Sequence, residues 1–439
     1  MKKALFIGLS FVLLMFLTGC LDSAEPVSED DNSTPPEVLE EEETDADFEE
    51  PQDQPFLVVV YEQEGQLMVA FGYNAPRPLT NGPNDSNPVI SADGSHVVFQ
   101  RSLVSGLAEL PRFELWVIGI DGSDERPLVT LDMLPGEMEV TIDSSDEVML
   151  DRLPWRVTWI GDSDKVAFNT ILETGYGLST YDDLWIADTT TGLVNQVLPD
   201  GQGGSYAFSP DGSTLLVADA ESVSMLAADG SNRRELISFP FVNTASEYAF
   251  MPQPVWAPDS SYGLVAICGP EPFGGPEDSY TTFWRLPLTG EVEELMTVTG
   301  LNLNQAMSGN LFSPDGEHIA YTEGEYMEGN TYIATLDGAI LTTNSYAYHY
   351  YGWSTDGSLI ILYRDTPFLA GTNRAEQELS RPEEIDALSA LYKWVDPITY
   401  VGLDFSYLEE DYTLWVTEID GESRIIDTGV YSFDAAMIR

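Results

Sequence analysis

Carboxylates are the one versatile chemical group that this chain holds in quantity, with 74 Asp and Glu against 18 Lys and Arg. A pair of them flanking a glycosidic bond suffices for hydrolysis, one as acid and the other as base or nucleophile. A hydrolase or lyase of extracellular polymers, working with carboxylates in a channel mouth, is therefore one expectation. Other catalytic chemistry lacks its parts. There is no Gly-x-Ser-x-Gly, and no Walker or dinucleotide fingerprint. Of the 3 histidines, His96 and His318 each follow an Asp-Gly-x turn at the start of a β run, a repeated and hence structural position. His349 lies in Tyr346-Ala-Tyr-His-Tyr-Tyr351, close to where a channel would run. One His makes neither a three-His metal site nor a nucleophile–base pair. No cofactor is expected. Ca²⁺ stays open because hard oxygen ligands abound, although no segment has the Asp-x-Asp-x-Asp-Gly spacing. Asp121-Gly-Ser-Asp124-Glu125 reads as a turn.

Binding chemistry is better represented. Aromatic and acidic residues gather in irregular stretches: Tyr176, Tyr181 and Asp182; Phe273, Asp278 and Tyr280; Glu325 and Tyr326; Tyr407 and Asp411. Such groups suit a cationic or carbohydrate-like partner. The formal net charge of −56 would repel phosphate backbones, which excludes nucleic acid as a partner. The acids are spread along the whole chain, so most of them read as a solvated surface. Cys268 ends the apolar run Leu264-Val-Ala-Ile-Cys and reads as a buried structural residue.

The elements that would carry these residues show themselves through a returning phrase. It reads Phe208-Ser-Pro-Asp211-Gly, Trp256-Ala-Pro-Asp259-Ser, Phe312-Ser-Pro-Asp315-Gly and Trp353-Ser-Thr-Asp356-Gly. Each copy precedes a β-rich run such as Leu215-Leu-Val-Ala218 or His318-Ile-Ala-Tyr321. Recurrence every ~40–50 residues with short strands between copies marks a β-propeller. In the clearest unit, strand a ends at Ser209, and Pro-Asp-Gly makes a tight turn. Strands b, c and d follow at Leu215–Ala218, Val223–Ala227 and Glu235–Ser238. Strand-a anchors at Ile90, Trp159, Phe208, Trp256, Phe312, Trp353, Trp394 and Phe433 give an all-β propeller of eight four-stranded antiparallel blades. Seven is the alternative if 364–390 is an insertion rather than a degraded c–d pair. The segments Leu57–Tyr61 and Gln66–Phe71 lack a strand a, and Val430-Tyr-Ser-Phe433 supplies one, so the C-terminal strand closes the ring and hides sheet edges.

This pattern resembles the TolB-like (PD40, WD40-like) propeller family, and the resemblance covers residues 56–439. It implies a propeller fold strongly and a function weakly. Members include periplasmic scaffolds that bind other envelope proteins and propellers that accompany peptidases. Pectate-lyase-type propellers are similar too, but need a histidine cluster that this sequence lacks.

The first residues read as a leader. Lys2-Lys3 is a basic n-region and Ala4 to Phe16 an apolar h-region. Leu17-Thr-Gly-Cys20 resembles a bacterial lipobox, which implies cleavage after residue 19 and lipidation of Cys20. Leu21 after the Cys favours the outer membrane in a Gram-negative host. Residues 20–55 then form an acidic disordered linker, with 15 acids and no base over 21–55. The expected protein is a monomeric lipoprotein anchored in the cell envelope and facing the periplasm or exterior.

Antiparallel strands put the a–b and c–d turns on one face of the ring and the b–c and d–a loops on the other. The irregular segments 101–113, 131–154, 170–182, 239–253, 268–282, 323–331 and 404–412 are all b–c or d–a connections. Long loops on a rigid scaffold are where binding usually sits. The leading expectation is thus a non-catalytic scaffold that binds another protein or a glycan through the loop face.

Overall fold

The computed structural model describes residues 55–438 apart from 105–110, 137, 143–145, 174–177, 276–277, 325–328, 348, 365, 374, 383–386 and 407–410. The described strands form eight antiparallel blades. The innermost strands, a, are Asp85–Ile90, Leu153–Trp159, Ser205–Phe208, Val255–Trp256, His349–Trp353, Ala387–Trp394 and Val430–Ile438 in blades 2, 3, 4, 5, 7, 8 and 1. In blade 6, strand a shrinks to the single bridge Phe312↔Ile319 beside a three-stranded ladder. All eight expected anchors sit on these inner segments. The doubtful c–d pair is also present, as Pro367–Gly371 and Gln377–Glu378.

Strand b explains why the fold needs both neighbours. Leu215, Leu216, Val217 and Ala218 are all fully buried, because each blade is covered on two faces by the next blades. Such strands read as continuous apolar runs rather than as alternation. One large apolar cluster runs through blades 4 to 7, from Leu216 and Val265 to Ile333 and Ile360.

Polar bonds tie each inner segment to the one before it. Trp159 Nε1 donates to Val89 O at 3.1 Å, Trp256 to Ala207 O at 3.0 Å, Trp353 to Asn310 O at 3.0 Å and Trp394 to Gly352 O at 3.2 Å. In each case the acceptor belongs to the preceding blade. These contacts run from one inner segment to the next, so the anchors set their rings between blades and clamp an inner ring.

The returning phrase is a hydrogen-bonded device. Ser209 Oγ donates to Asp211 Oδ1 at 2.5 Å and accepts Thr214 N–H at 3.0 Å. Asp211 Oδ1 accepts Ser213 N–H at 2.9 Å, while Gly212 takes φ 69°, which an L side chain tolerates poorly. Ser91, Ser313 and Ser354 repeat the hydroxyl's two bonds.

Blade 1 closes the ring. Strand b, Phe56–Gln63, pairs with the C-terminal strand from Phe56↔Ile438 to Gln63↔Val430. Ile438 packs so closely on the blade 2 turn that a Cβ on Gly94 would lie 2.1 Å from it.

Three connections are more regular than the sequence suggests. The 131–154 segment holds a 3-10 turn, Leu131–Met133, and a hairpin of Met138–Ile142 with Asp146–Leu150. In 170–182, strand b runs on to Glu173 and Leu178–Thr180 folds back on it. A short helix, Leu303–Ser308, leads into blade 6. The search for blade repeats passes over all three, because none recurs.

Candidate functional site

The loop face is built from the far ends of strands b and c and the entry to strand a. In blade 3 its residues interlock. Arg152 is 4% exposed, and its guanidinium carbon lies 3.6 Å from the Tyr181 ring centroid. Its Nη2 lies 2.6 Å from Asp200 Oδ1 and its Nη1 donates to Pro135 O at 3.1 Å. Tyr181 OH donates to Gly136 O at 3.1 Å. Tyr181 thus joins the 131–154 and 170–182 connections. Asp182, beside it, accepts Thr180 Oγ1–H at 2.7 Å in a left-handed turn with φ 46°.

In blade 5, Phe273 and Asp278 are exposed on one loop, and Tyr280 is half-buried against Gly269. Phe241, 56% exposed, stands on the adjoining loop of blade 4 and was missed by the sequence reading. The two loops are stitched by Asn243 N–H to Pro270 O at 2.8 Å and Asn243 Nδ2 to Glu271 Oε2 at 3.1 Å. The Phe-Pro-Phe at 239–241, between strand d and the next blade, was the available signal. In blade 8, Asp411 is half-buried at the start of strand c and accepts the Tyr412 N–H at 2.8 Å. Tyr176, Glu325, Tyr326 and Tyr407 lie outside the described residues. The structure therefore groups Tyr181 with Asp182, and Phe273 with Asp278 and Tyr280. These groups and Asp411 belong to different blades of one face.

The sequence reading also missed a set of carboxylates at this same face. Asp404, near the end of strand b in blade 8, is 1% exposed and accepts Trp415 Nε1–H at 3.0 Å and Tyr392 OH at 3.5 Å. Burial pushes it up to about 6, against the pull of Trp415 and the charge of Arg381. Glu62 rises to about 7 through burial, and burial also raises Glu173. Asp183, at the start of strand c in blade 3, accepts Thr170 N–H at 2.8 Å, Thr170 Oγ1–H at 2.6 Å and Trp185 Nε1–H at 2.6 Å. Burial still outweighs these donors and raises it.

The opposite face behaves in the opposite way. Asp211 is held below the usual range by Ser209 Oγ–H and then by the Ser213 donors. Asp121, Asp188, Asp229, Asp259 and Asp337, in the other short turns, are held low by hydroxyl and backbone N–H donors. At Asp93 and Asp356, burial opposes the shift and the same donors outweigh it. Among the described residues, every carboxylate with a lowered value lies in an a–b or c–d turn, and every one with a raised value lies toward a b–c loop.

Cys268 is buried beside Thr281 Oγ1 at 3.6 Å, and burial pushes its thiol up to about 12, far from a reactive thiolate. Among the described residues, no three His, Cys, Asp or Glu converge as a metal site would require.

No family model and no curated protein matches the chain. Among solved structures, it is similar to Porphyromonas gingivalis dipeptidyl peptidase 4, with a TM-score of 0.53 and 12% identity over 84% of this chain. The match spans 57% of that peptidase. It is also similar to TolB from Acinetobacter baumannii, with a TM-score of 0.40 and 12% identity over 87% of this chain and 82% of that one. Oligogalacturonate lyase from Vibrio parahaemolyticus gives a TM-score of 0.40 and 14% identity over 71% and 90%. At this identity the likeness to the peptidase is one of fold alone.

Proposed function

We propose that the chain is a lipid-anchored protein of the cell envelope whose propeller is a non-catalytic scaffold, binding another protein or a glycan at the b–c/d–a face. Residues 1–19 would be the leader, Cys20 the lipidated residue, 20–55 the spacer and 56–439 the working domain. The observation that carries this reading is the asymmetry between the two faces. The short-turn face spends its Asp side chains on its own backbone. The loop face keeps Phe241 and Phe273 exposed on two stitched loops, and Asp278 is exposed on the loop of Phe273. Exposed aromatics on a rigid frame, rimmed by acids, suit a partner with cationic or sugar surfaces.

A polymer hydrolase would need two carboxylates facing one cleft. Asp404 carries a value near neutrality, as a general acid would, but it is buried within its blade and already bonded to Trp415 and Tyr392. This favours the scaffold.

Membrane fractionation of Cys20→Ser tests the anchor: the variant should appear in the soluble fraction, and retention would overturn it. Pull-down from envelope extract tests the face. A partner captured by wild type should be lost from Phe241→Ala/Phe273→Ala, and capture unchanged by that pair would refute the loop-face reading.

A further inference from the structure

Arginine repeatedly covers aromatic rings in this chain. Among the described residues, six arginines stand over rings at 3.6 to 5.4 Å from the centroid, the geometry of a cation–π contact. Even Tyr73, 78% exposed, has Arg424 above it at 5.2 Å. Phe241 and Phe273 are exposed too, yet among the described residues no arginine stands over either ring. Their own loops have none to offer. Segments 239–253 and 268–282 hold Glu247, Glu271, Glu277 and Asp278 and no Lys or Arg.

Both rings stand on packed backbone. Phe239 meets the buried Phe250 edge-on at 6.2 Å, Val242 and Thr244 are buried, and Thr244 Oγ1–H donates to Tyr248 O at 2.6 Å. Phe241 is therefore exposed by an ordered loop. On the other loop, Gly274 N–H donates to Glu271 O at 2.9 Å and Asp278 N–H to Gly275 O at 2.9 Å. Asp278 folds back on the residue after Phe273, since a Cβ on Gly274 would lie 2.8 Å from Asp278 Cβ. Glu271 is fixed at the junction of the loops by Asn243 Nδ2, at 3.1 Å. Phe241 and Phe273 lie two and three residues from the bond between Asn243 N–H and Pro270 O. Their Cα atoms are thus at most roughly 25 Å apart, the span of about seven extended residues.

We infer that this surface docks a basic extended segment of another protein, its Lys or Arg side chains meeting the Phe241 and Phe273 rings and the Glu271 and Asp278 carboxylates. The inference rests on the loop-face reading above and chooses between its two partner classes. A neutral glycan could lie on the rings, but it brings no charge to these acids. A segment mixing basic and apolar side chains meets both features at once.

The test is calorimetric titration of the full chain in detergent with three probes: a peptide of alternating arginine and leucine about seven residues long, the same peptide with glutamine for arginine, and cellohexaose. In about 150 mM salt, charges well beyond ~8 Å are largely screened, so a general attraction to an acidic protein is suppressed. The arginine peptide should bind about ten-fold or more tightly than the glutamine peptide. Phe241→Ala/Phe273→Ala and Glu271→Gln/Asp278→Asn should each weaken it about five-fold or more, with thermal midpoints near wild type. Glu271→Gln keeps an acceptor for Asn243. Glu291→Gln/Glu422→Gln removes the same charge from two exposed short-turn sites and should leave the affinity within about two-fold. No binding of the arginine peptide, equal binding of the glutamine peptide, an equal loss in the short-turn variant or undiminished binding by either loop variant would overturn the basic partner. Cellohexaose binding that disappears with the two phenylalanines would overturn it in favour of a glycan while leaving the loop face standing. Failure of the loop face itself would show in the pull-down, as capture unchanged by the same pair.

Discussion

Asp434 on the inner strand of blade 1 accepts the backbone N–H of Ile90, on the inner strand of blade 2, at 2.8 Å. Its other oxygen takes Lys393 from blade 8. One carboxylate thus holds three blades at the seam where the ring closes. Asp434→Ala should lower stability by about 1–3 kcal/mol, read as a shift of the urea midpoint. Lys393→Met alone should cost less, because the Ile90 bond survives. Equal costs would show that the ion pair, rather than the backbone bond, holds the seam.

The indole clamps predict a second pattern. Trp256→Phe keeps most of the buried ring but leaves Ala207 O without its donor. The expected loss is about 1–2 kcal/mol. Trp353→Phe should cost a similar amount at Asn310 O, and the two losses should add, since the clamps share no partner. Chemical denaturation of the two single variants and the double checks both statements.

The two faces predict opposite pH responses. Asp404 and Glu62 are raised by burial, to about 6 and about 7. Carboxyls with raised values stabilise the fold fully below their unfolded values near pH ~4. That contribution is lost as pH rises through about 6 and 7. For Asp404 the loss is on the order of 2–3 kcal/mol. The turn carboxylates, lowered from 3.8, contribute above their unfolded value and lose it as pH falls through the lower folded one. Thermal midpoints should therefore peak between these ranges. Asp404→Asn should flatten the decline toward pH ~8, and a wild-type midpoint that climbs steadily over that range would contradict the assignment.

Tyr181 and Phe273 should separate stability from binding. Tyr181→Ala removes the stack on Arg152 and the bond to Gly136 O, so a loss of about 1–2 kcal/mol is expected. Phe273→Ala removes an exposed ring and should leave the thermal midpoint within about 0.5 kcal/mol of wild type. A large loss at Phe273 would make it part of the core rather than of a binding surface.

The architecture was legible because the Pro-Asp-Gly turns and the anchors Trp256, Trp353 and Trp394 recur with a mechanism that local chemistry explains. Even the weak blade at 364–390 announced itself through Phe368-Leu-Ala370. The loop face was legible only as a location. Tyr181 could be read as aromatic and acid-flanked, but its stack on Arg152 joins segments about 30 residues apart, and nothing local encodes that contact. The raised value of Asp404 likewise comes from burial among the strands of its blade, and it holds against the pull of Trp415 and Tyr392, which donate to it from neighbouring strands. Phe241 looked like one more apolar loop residue until its loop was seen bonded to that of Phe273. Repeats are written locally, whereas exposure and protonation are set by neighbours distant in the chain.

Blade 1 is the one blade whose a–b turn is replaced by the chain's entry and exit, with Phe56 opposite Ile438. A pull on the chain ahead of residue 56 would act along a strand hydrogen-bonded on both sides, to Gln66–Phe71 and to Val430–Ile438. Antiparallel ladder bonds run perpendicular to the strands. The load would fall on them in shear, shared by many bonds at once, rather than unzipping them singly from the free end. The seam that completes the ring is also its mechanical grip.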